Sequence, residues 1–228
     1  MKFSYKIIFI FFLSFTFTEK LIYSAGFRLF DAGEAIFTSE IAELNGAEVI
    51  YLTSTVNTNS FLSQFYKVRD LVKIWSNKND LTLMKIVKKT RQGKYKLDYS
   101  AIVTDELQLI SNKKITQLES KVFDPISAIF MIRQKELIIG NSFKFTTVEN
   151  DIIQKINVMV GNIENISVPY GTFDTFQLIP ISDDNNPLFR NDGKMKVWYS
   201  TDSLHLPIKI EQKTNVGTLI LKLKEYIP

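Results

Sequence analysis

His205 is the sole histidine, and cysteine is absent. A site of two or more histidines cannot form within one such chain, and thiol nucleophiles and thiolate metal ligands are excluded. A Ser-His-Asp set needs geometry that spacing does not supply. Asp183-Asp184-Asn185-Asn186 and Asn191-Asp192-Gly193 offer oxygen ligands. They lack the one-three-five spacing and closing glutamate of a calcium loop, so a solvated loop is the simpler reading. Carboxylates such as Asp174 and Asp202 keep a polysaccharide hydrolase as a distant alternative, which requires two carboxyl groups held about 5–9.5 Å apart. No phosphate-cradling glycine loop occurs. The chemistry-bearing residues thus give no catalytic set, no metal and no cofactor, and the expectation is a protein that is not an enzyme.

Aromatic side chains on alternating positions are the remaining signal. Phe130, Phe143, Phe145, Phe173, Phe176 and Trp198, with Arg133, are the candidate ligand-binding residues. They suit an apolar or amphiphilic ligand such as a lipid. Each has a plainer alternative. Asp124 and Arg133 bracket a short helix, where they either flank a ligand mouth or serve as a cap and a dipole-favoured cation. Trp198 and Asp202 line a pocket, or are a core aromatic and a turn-forming aspartate. Lys85, Lys88, Lys89, Arg91, Lys94 and Lys96 crowd one hairpin. They meet anionic headgroups, or they discourage edge-to-edge pairing.

The elements that must position these residues are strands. Tyr95, Leu97, Tyr99 and Ala101 alternate with Lys94, Lys96, Asp98 and Ser100, the period-two pattern of a half-buried strand. The pattern recurs at Phe143–Thr146, Ile208–Glu211 and Leu219–Lys224. Weaker strands are expected at Phe27–Ser39, Glu48–Val56, Val68–Trp75, Leu81–Thr90, Glu106–Ser111, Ile152–Val160, Thr172–Ile179 and Met195–Ser200. Asn45-Gly46, Arg91-Gln92-Gly93-Lys94, Asn191-Asp192-Gly193 and Asn215-Val216-Gly217 supply hairpin turns, which join antiparallel strands only. Gly33 within a strand signals a bulge or bend. Helices are expected at Asn59–Tyr66, from the spacing of Phe61, Leu62, Phe65 and Tyr66, and after Asp124-Pro125, a preferred cap followed by proline at the first helical position.

Met1–Ala25 reads as a secretory signal peptide: Lys2 and Lys6, an apolar run from Ile7 to Phe12, then small residues Ser24 and Ala25. The run is shorter than the roughly 20 residues of a membrane span. On that reading the exported body is residues 26–228, one domain with no transmembrane span. Its loss of Lys2, Lys6, Lys20 and Glu19 lowers the formal charge from +4 to +2. So modest an excess argues against nucleic acid as a partner. Without disulfides the body depends on burial and hydrogen bonding.

The second half carries a recognisable series of marks. Asp124-Pro125-Ile126-Ser127-Ala128 leads through Phe130 and Arg133 to Gly140. Val168-Pro169-Tyr170-Gly171-Thr172-Phe173-Asp174-Thr175 follows, then Val197-Trp198-Tyr199-Ser200-Thr201-Asp202 and Leu206-Pro207-Ile208-Lys209-Ile210. In order and spacing, with Gly33 near the start, this resembles the bacterial exported family catalogued as domain of unknown function 3108. The resemblance spans nearly all of Phe27–Tyr226. It implies an exported, periplasmic protein of a Gram-negative cell envelope, and no particular reaction. His205 departs from the basic residue that the pattern favours before the proline.

The expected fold is mainly β: a long twisted antiparallel sheet curved into a half-open barrel, with one or two short packed helices. The expected function is a non-enzymatic periplasmic binding or carrier protein, monomeric, for an apolar or amphiphilic envelope ligand, either a lipid or lipoprotein-like. The architecture looks similar to periplasmic carriers of lipids and lipoproteins, a fold-level analogy. The main alternative is a module that binds envelope proteins during assembly.

Overall fold

A computed structural model describes residues 18–27, 30–180, 195–214 and 217–228. The Asp183–Asn186 and Asn191–Gly193 segments lie outside these. The first strands are β1 (Thr18–Phe27), β2 (Phe30–Leu44), β3 (Ala47–Thr58), β4 (Arg69–Asn77), β5 (Leu83–Gln92) and β6 (Tyr95–Val103). Two short ones follow, β7 (Gln108–Ser111) and β8 (Ile115–Gln117), then helix α1 (Pro125–Ile132). The chain continues through β9 (Ser142–Glu149), β10 (Ile152–Val168), β11 (Gly171–Pro180), β12 (Met195–Ser200), β13 (Pro207–Thr214) and β14 (Gly217–Ile227). They form one 14-stranded antiparallel sheet in the order β8-β7-β6-β5-β4-β3-β2-β1-β14-β13-β12-β11-β10-β9.

The sheet is not closed, since β8 and β9 remain its two edges. A twisted sheet of more than about 10 strands curls rather than staying flat. Bulges bend it further, at Ile22/Tyr23, Ala25/Gly26, Trp75/Ser76, Val160/Ile163 and Trp198/Tyr199. Curling brings the β9–β10 hairpin back onto β5 and β6. The Tyr99 hydroxyl donates to Asp151 Oδ1 at 2.9 Å, and Lys88 Nζ lies 3.1 Å from Glu149 Oε1. Segment Val122-Phe123 ties the same halves together: Leu83 N–H donates to Val122 O, and Phe123 bridges Thr147 of β9.

Turn residues account for the register. Asn45 and Gly46 adopt φ of 54° and 82°, the two positive values of a type I′ hairpin. Asn150 and Asp151, at 50° and 69°, do the same between β9 and β10. Gly93, at 58°, takes the first central position of a type II′ turn between β5 and β6. A side chain at Gly33 would collide with the Asn57 carbonyl of the neighbouring strand, so β2 and β3 approach only because glycine is there.

Helix α1 packs inside the curl. Asp124 Oδ1 accepts from Ile126 N–H at 2.8 Å, with Pro125 at the first helical position. Its residues Ile129, Phe130 and Met131 join Leu21, Tyr23, Leu52, Ile74, Val160, Tyr199, Ile208 and Leu223 in one buried core. The Asn59–Tyr66 segment forms only a 3-10 turn, Leu62–Gln64, and leaves Phe61 and Phe65 exposed. Among the described residues no helix is long and apolar enough to cross a membrane.

Two boundaries differ from expectation. The predicted Phe27–Ser39 strand is the end of β1 and most of β2, and β10 continues to Val168 rather than Val160. More consequential, β1 begins at Thr18 and so spans the boundary expected at Gly26. β1 pairs along its length with both β2 and β14, and Leu21 and Tyr23 are fully buried. Glu19 forms a two-pronged ion pair with Arg133, at 2.8 and 2.7 Å. Leu21, Ile22, Tyr23 and Ala25 are buried as parts of a central strand.

Candidate functional site

The curled sheet and α1 enclose a cavity of about 320 Å³. One wall is apolar: Ala25, Phe37, Val56, Val72, Ile210 and Leu221, from β1–β4, β13 and β14. The lining turns polar at Lys88, Thr90, Asp124, Glu149 and Asn150, with Lys88 directly beside Val72 across the β4–β5 pair. Leu62, Tyr66 and Tyr95 form part of the rim.

Local structure explains the polar side. Ile86, Lys88 and Thr90 alternate on β5 and so share its inward face. Opposite them on β6 are Ala101, Tyr99 and Leu97, so a lysine and a threonine sit within an otherwise apolar stripe. The type I′ turn carries Asn150 into the cavity and aims Asp151 at Tyr99. Burial and then the Asp151 carboxylate push the Tyr99 phenol up, which keeps it a donor.

Asp124 is almost fully buried at the N-terminus of α1. Burial raises its pKa to about 6; the Ile126 N–H and the Lys88 charge pull it down, and Glu149 pushes it up. Lys88 therefore stands between two carboxylates, and this end carries no surplus positive charge. Thr90 Oγ1 and Asn150 Oδ1 are buried without a hydrogen-bond partner among the described residues. A buried polar atom left unpaired costs about 1–3 kcal/mol, so both oxygens favour a molecule that brings hydrogen bonds to them.

Residues 21–224 match the family described as "Protein of unknown function (DUF3108)". The chain belongs to this family. A solved structure, "Crystal Structure of Beta-barrel-like Protein of Domain of Unknown Function DUF1849 from Brucella abortus", is similar in fold, with a TM-score of 0.58 and 11% identity. The likeness covers 92% of this chain and 97% of that one. No curated protein matches. The neighbour's barrel-like β architecture agrees with the curled sheet, and neither description names a ligand.

Within this family member the residues first expected to hold a ligand do not border the cavity. Phe130 is buried on α1, with the Arg133 guanidinium 5.5 Å from its ring centroid. Arg133 serves the Glu19 pair and also donates to Leu204 O. Burial alone would lower its pKa, but the Glu19 hydrogen bonds and charge outweigh that and raise it. Trp198 is buried, donates to Glu164 Oε2 at 2.9 Å and lies under Lys209. Phe173 stacks on Tyr170, while Phe143 and Phe176 pack at the margin of the core. Phe145 meets Phe123 edge-on and borders a second, open depression of about 460 Å³ beside Lys121, Lys144 and Lys155.

The plainer readings hold for several others. Asp202 Oδ1 accepts from Ser200 Oγ and Leu204 N–H, fixing a turn. His205, at a positive φ of 42°, places Nδ1 3.2 Å from Arg133 O. Asp174 accepts from the Asn165 amide. The lysine-rich hairpin divides: Lys88 faces inward, Lys85 lies over Trp75 and Arg91 grips Asp98, leaving Lys89, Lys94 and Lys96 exposed. Of the polar cavity residues, the sequence singled out Asp124 as a helix cap or ligand-mouth residue and Lys88 only as one cation of the hairpin, and did not single out Thr90, Glu149 or Asn150. A signal existed for Lys88 and Thr90. The Gly93-Lys94 turn pairs Thr90 with Leu97 and Lys88 with Tyr99, so the alternation of β6 already put both on the apolar face.

Proposed function

We propose that the chain is a non-enzymatic binding or carrier module of the periplasm, and that its cavity holds a small amphiphile. The ligand's apolar body lies against Ala25, Phe37, Val56, Val72, Ile210 and Leu221. Its head meets Thr90 and Asn150. The supporting observation is one cavity whose lining combines apolar side chains with Thr90 and Asn150, residues that each hold a buried oxygen without a partner among the described residues. Asn150 Oδ1 only accepts, so the head carries a hydrogen-bond donor. Lys88 is already balanced by Glu149 and Asp124, which disfavours an anionic head and favours a neutral hydroxyl or amide. The volume lies at the lower end of the roughly 300–1,000 Å³ of small-molecule sites, consistent with one short chain. Export rests on the leader-like residues ahead of β1. Because Thr18–Phe27 is needed in the sheet, the removable leader is confined to Met1–Phe17.

Native mass spectrometry of the protein purified from its own envelope tests this reading, with N-terminal sequencing of the same sample. A bound species of a few hundred daltons is expected, replaceable by a short monoacylglycerol in preference to the matching fatty acid. An empty protein that takes up neither would overturn it, and a first residue beyond Glu19 would overturn the leader assignment.

A further inference from the structure

The cavity rim is built to hold two phenyl rings in water. Phe61 and Phe65 are 71% and 75% exposed, more than any other large apolar side chain described. Their rings meet edge-on at 5.7 Å between centroids. They sit on the turn whose other members, Leu62 and Tyr66, line the cavity. That turn is fastened rather than loose. Leu62 N–H donates to Asn59 Oδ1 at 2.8 Å, Tyr66 N–H to Leu62 O at 2.8 Å, and the Thr58 and Ser63 hydroxyls share a 2.8 Å hydrogen bond.

A second feature converges on the same place. Gly93 N–H donates to Lys67 O at 2.9 Å, which sets the β5–β6 hairpin tip beside this turn. The tip adds exposed Tyr95, Lys94 and Lys96, and the chain after the turn adds exposed Lys67 and Arg69. None of these four cations is in an ion pair among the described residues. The nearby carboxylates are already engaged: Asp98 by the Arg91 guanidinium, and Asp70 by Arg91 N–H and the Gln92 amide. The rim therefore presents protruding aromatic rings within a net positive field, because Asp70, held by neutral donors, offsets only one of the four cations. Aromatic side chains backed by lysine and arginine suit the boundary between headgroups and acyl chains.

The geometry points to this rim as a docking surface for an anionic lipid bilayer. Phe61 and Phe65 enter the acyl boundary, Tyr66 and Tyr95 lie at headgroup level, and Lys67, Arg69, Lys94 and Lys96 meet lipid phosphates. The cavity mouth then opens onto the membrane, and an amphiphile passes between bilayer and cavity without crossing water. The purpose of docking rests on the carrier reading, but the contact itself does not need a cavity ligand.

Sedimentation with phosphatidylglycerol/phosphatidylethanolamine vesicles, against pure phosphatidylcholine vesicles, tests it. Binding to the anionic vesicles is expected, weakened by salt, with little binding to the neutral ones. F61S/F65S is expected to lower the partition coefficient at least about tenfold, and K67E/K94E at least about thirtyfold. Circular dichroism and melting should stay unchanged in both, because these side chains are exposed. Ile115→Ser, at an exposed position of edge strand β8, serves as control and should bind like the parent. Equal binding by the parent and F61S/F65S overturns the inference, as does indifference to lipid charge. A photocrosslinker at Phe65 that captures one protein and no lipid in cells also overturns it, in favour of a protein partner. Vesicle binding by a protein that is empty and takes up no monoacylglycerol would sink the carrier reading and leave the docking surface standing.

Discussion

Asp124 links the helix, the cavity and pH, and it gives a sharp test. Its folded pKa of about 6 exceeds the ordinary value of 3.8 because burial disfavours the charge. Between about pH 4 and pH 6 the folded chain therefore keeps a proton that the unfolded chain has released. Raising pH through that window removes stability, and above it the loss is complete. At about 1.4 kcal/mol per pKa unit, the full loss is roughly 3 kcal/mol. Asp124→Asn keeps the oxygen that accepts from Ile126 N–H, and asparagine caps as well as aspartate does. It cannot titrate, and Lys88 retains Glu149. The stability of the parent minus that of Asp124→Asn should thus fall by up to roughly 3 kcal/mol from pH 4 to pH 7. Asp124→Ala should lose about 1 kcal/mol more than the asparagine variant, for the missing cap. Urea unfolding at four pH values, followed by tryptophan fluorescence and far-ultraviolet circular dichroism, gives the difference directly. A pH-independent difference, or one that grows in the parent's favour as pH rises, would refute the buried-carboxylate account.

Glu19→Ala strands the Arg133 guanidinium on the Phe130 ring and should cost about 2–4 kcal/mol; an unchanged melting temperature would show that the pair is immaterial. A chain begun at Gly26 loses buried Leu21, Ile22 and Tyr23, each worth about 1.5–3 kcal/mol, enough to exhaust a typical domain's stability. Circular dichroism should find it unfolded, while a chain begun at Thr18 melts cooperatively. Thr90→Val removes an unpartnered buried hydroxyl, so unfolding experiments should show about 1–2 kcal/mol of added stability, and calorimetry weaker monoacylglycerol uptake. Gly33→Ala forces β2 away from Asn57 and should lower the melting temperature; a neutral result would mean the strands part more easily than their pairing implies.

Much of the fold was legible because it is written locally. Alternation with period two marks a strand, and Asn45-Gly46 accepts two positive φ values, so strand and turn appear together in the sequence. Asp124-Pro125 encodes a helix start in two residues. The Asn59–Tyr66 spacing is helical, but periodicity alone does not supply a surface for the apolar face to bury against. Phe61 and Phe65 have nothing to pack on, so one 3-10 turn is all that forms. β1 was hidden for a different reason. Small residues such as Ser24 and Ala25 fit a cleavage site and a crowded central strand equally well, and only the pairing of β1 with β2 and β14 shows the strand.

The sequence by itself determined an antiparallel β protein with a capped internal helix, because short-range sterics and hydrogen bonding decide those features within a few residues. The tertiary structure alone decided where the cavity lies and which side chains face it. Glu19 meets Arg133 across 114 residues, and Lys88 meets Glu149 across 61. Such contacts follow from how far fourteen twisted strands curl. Curl accumulates from small bends at many bulges, and no single stretch of sequence records the sum.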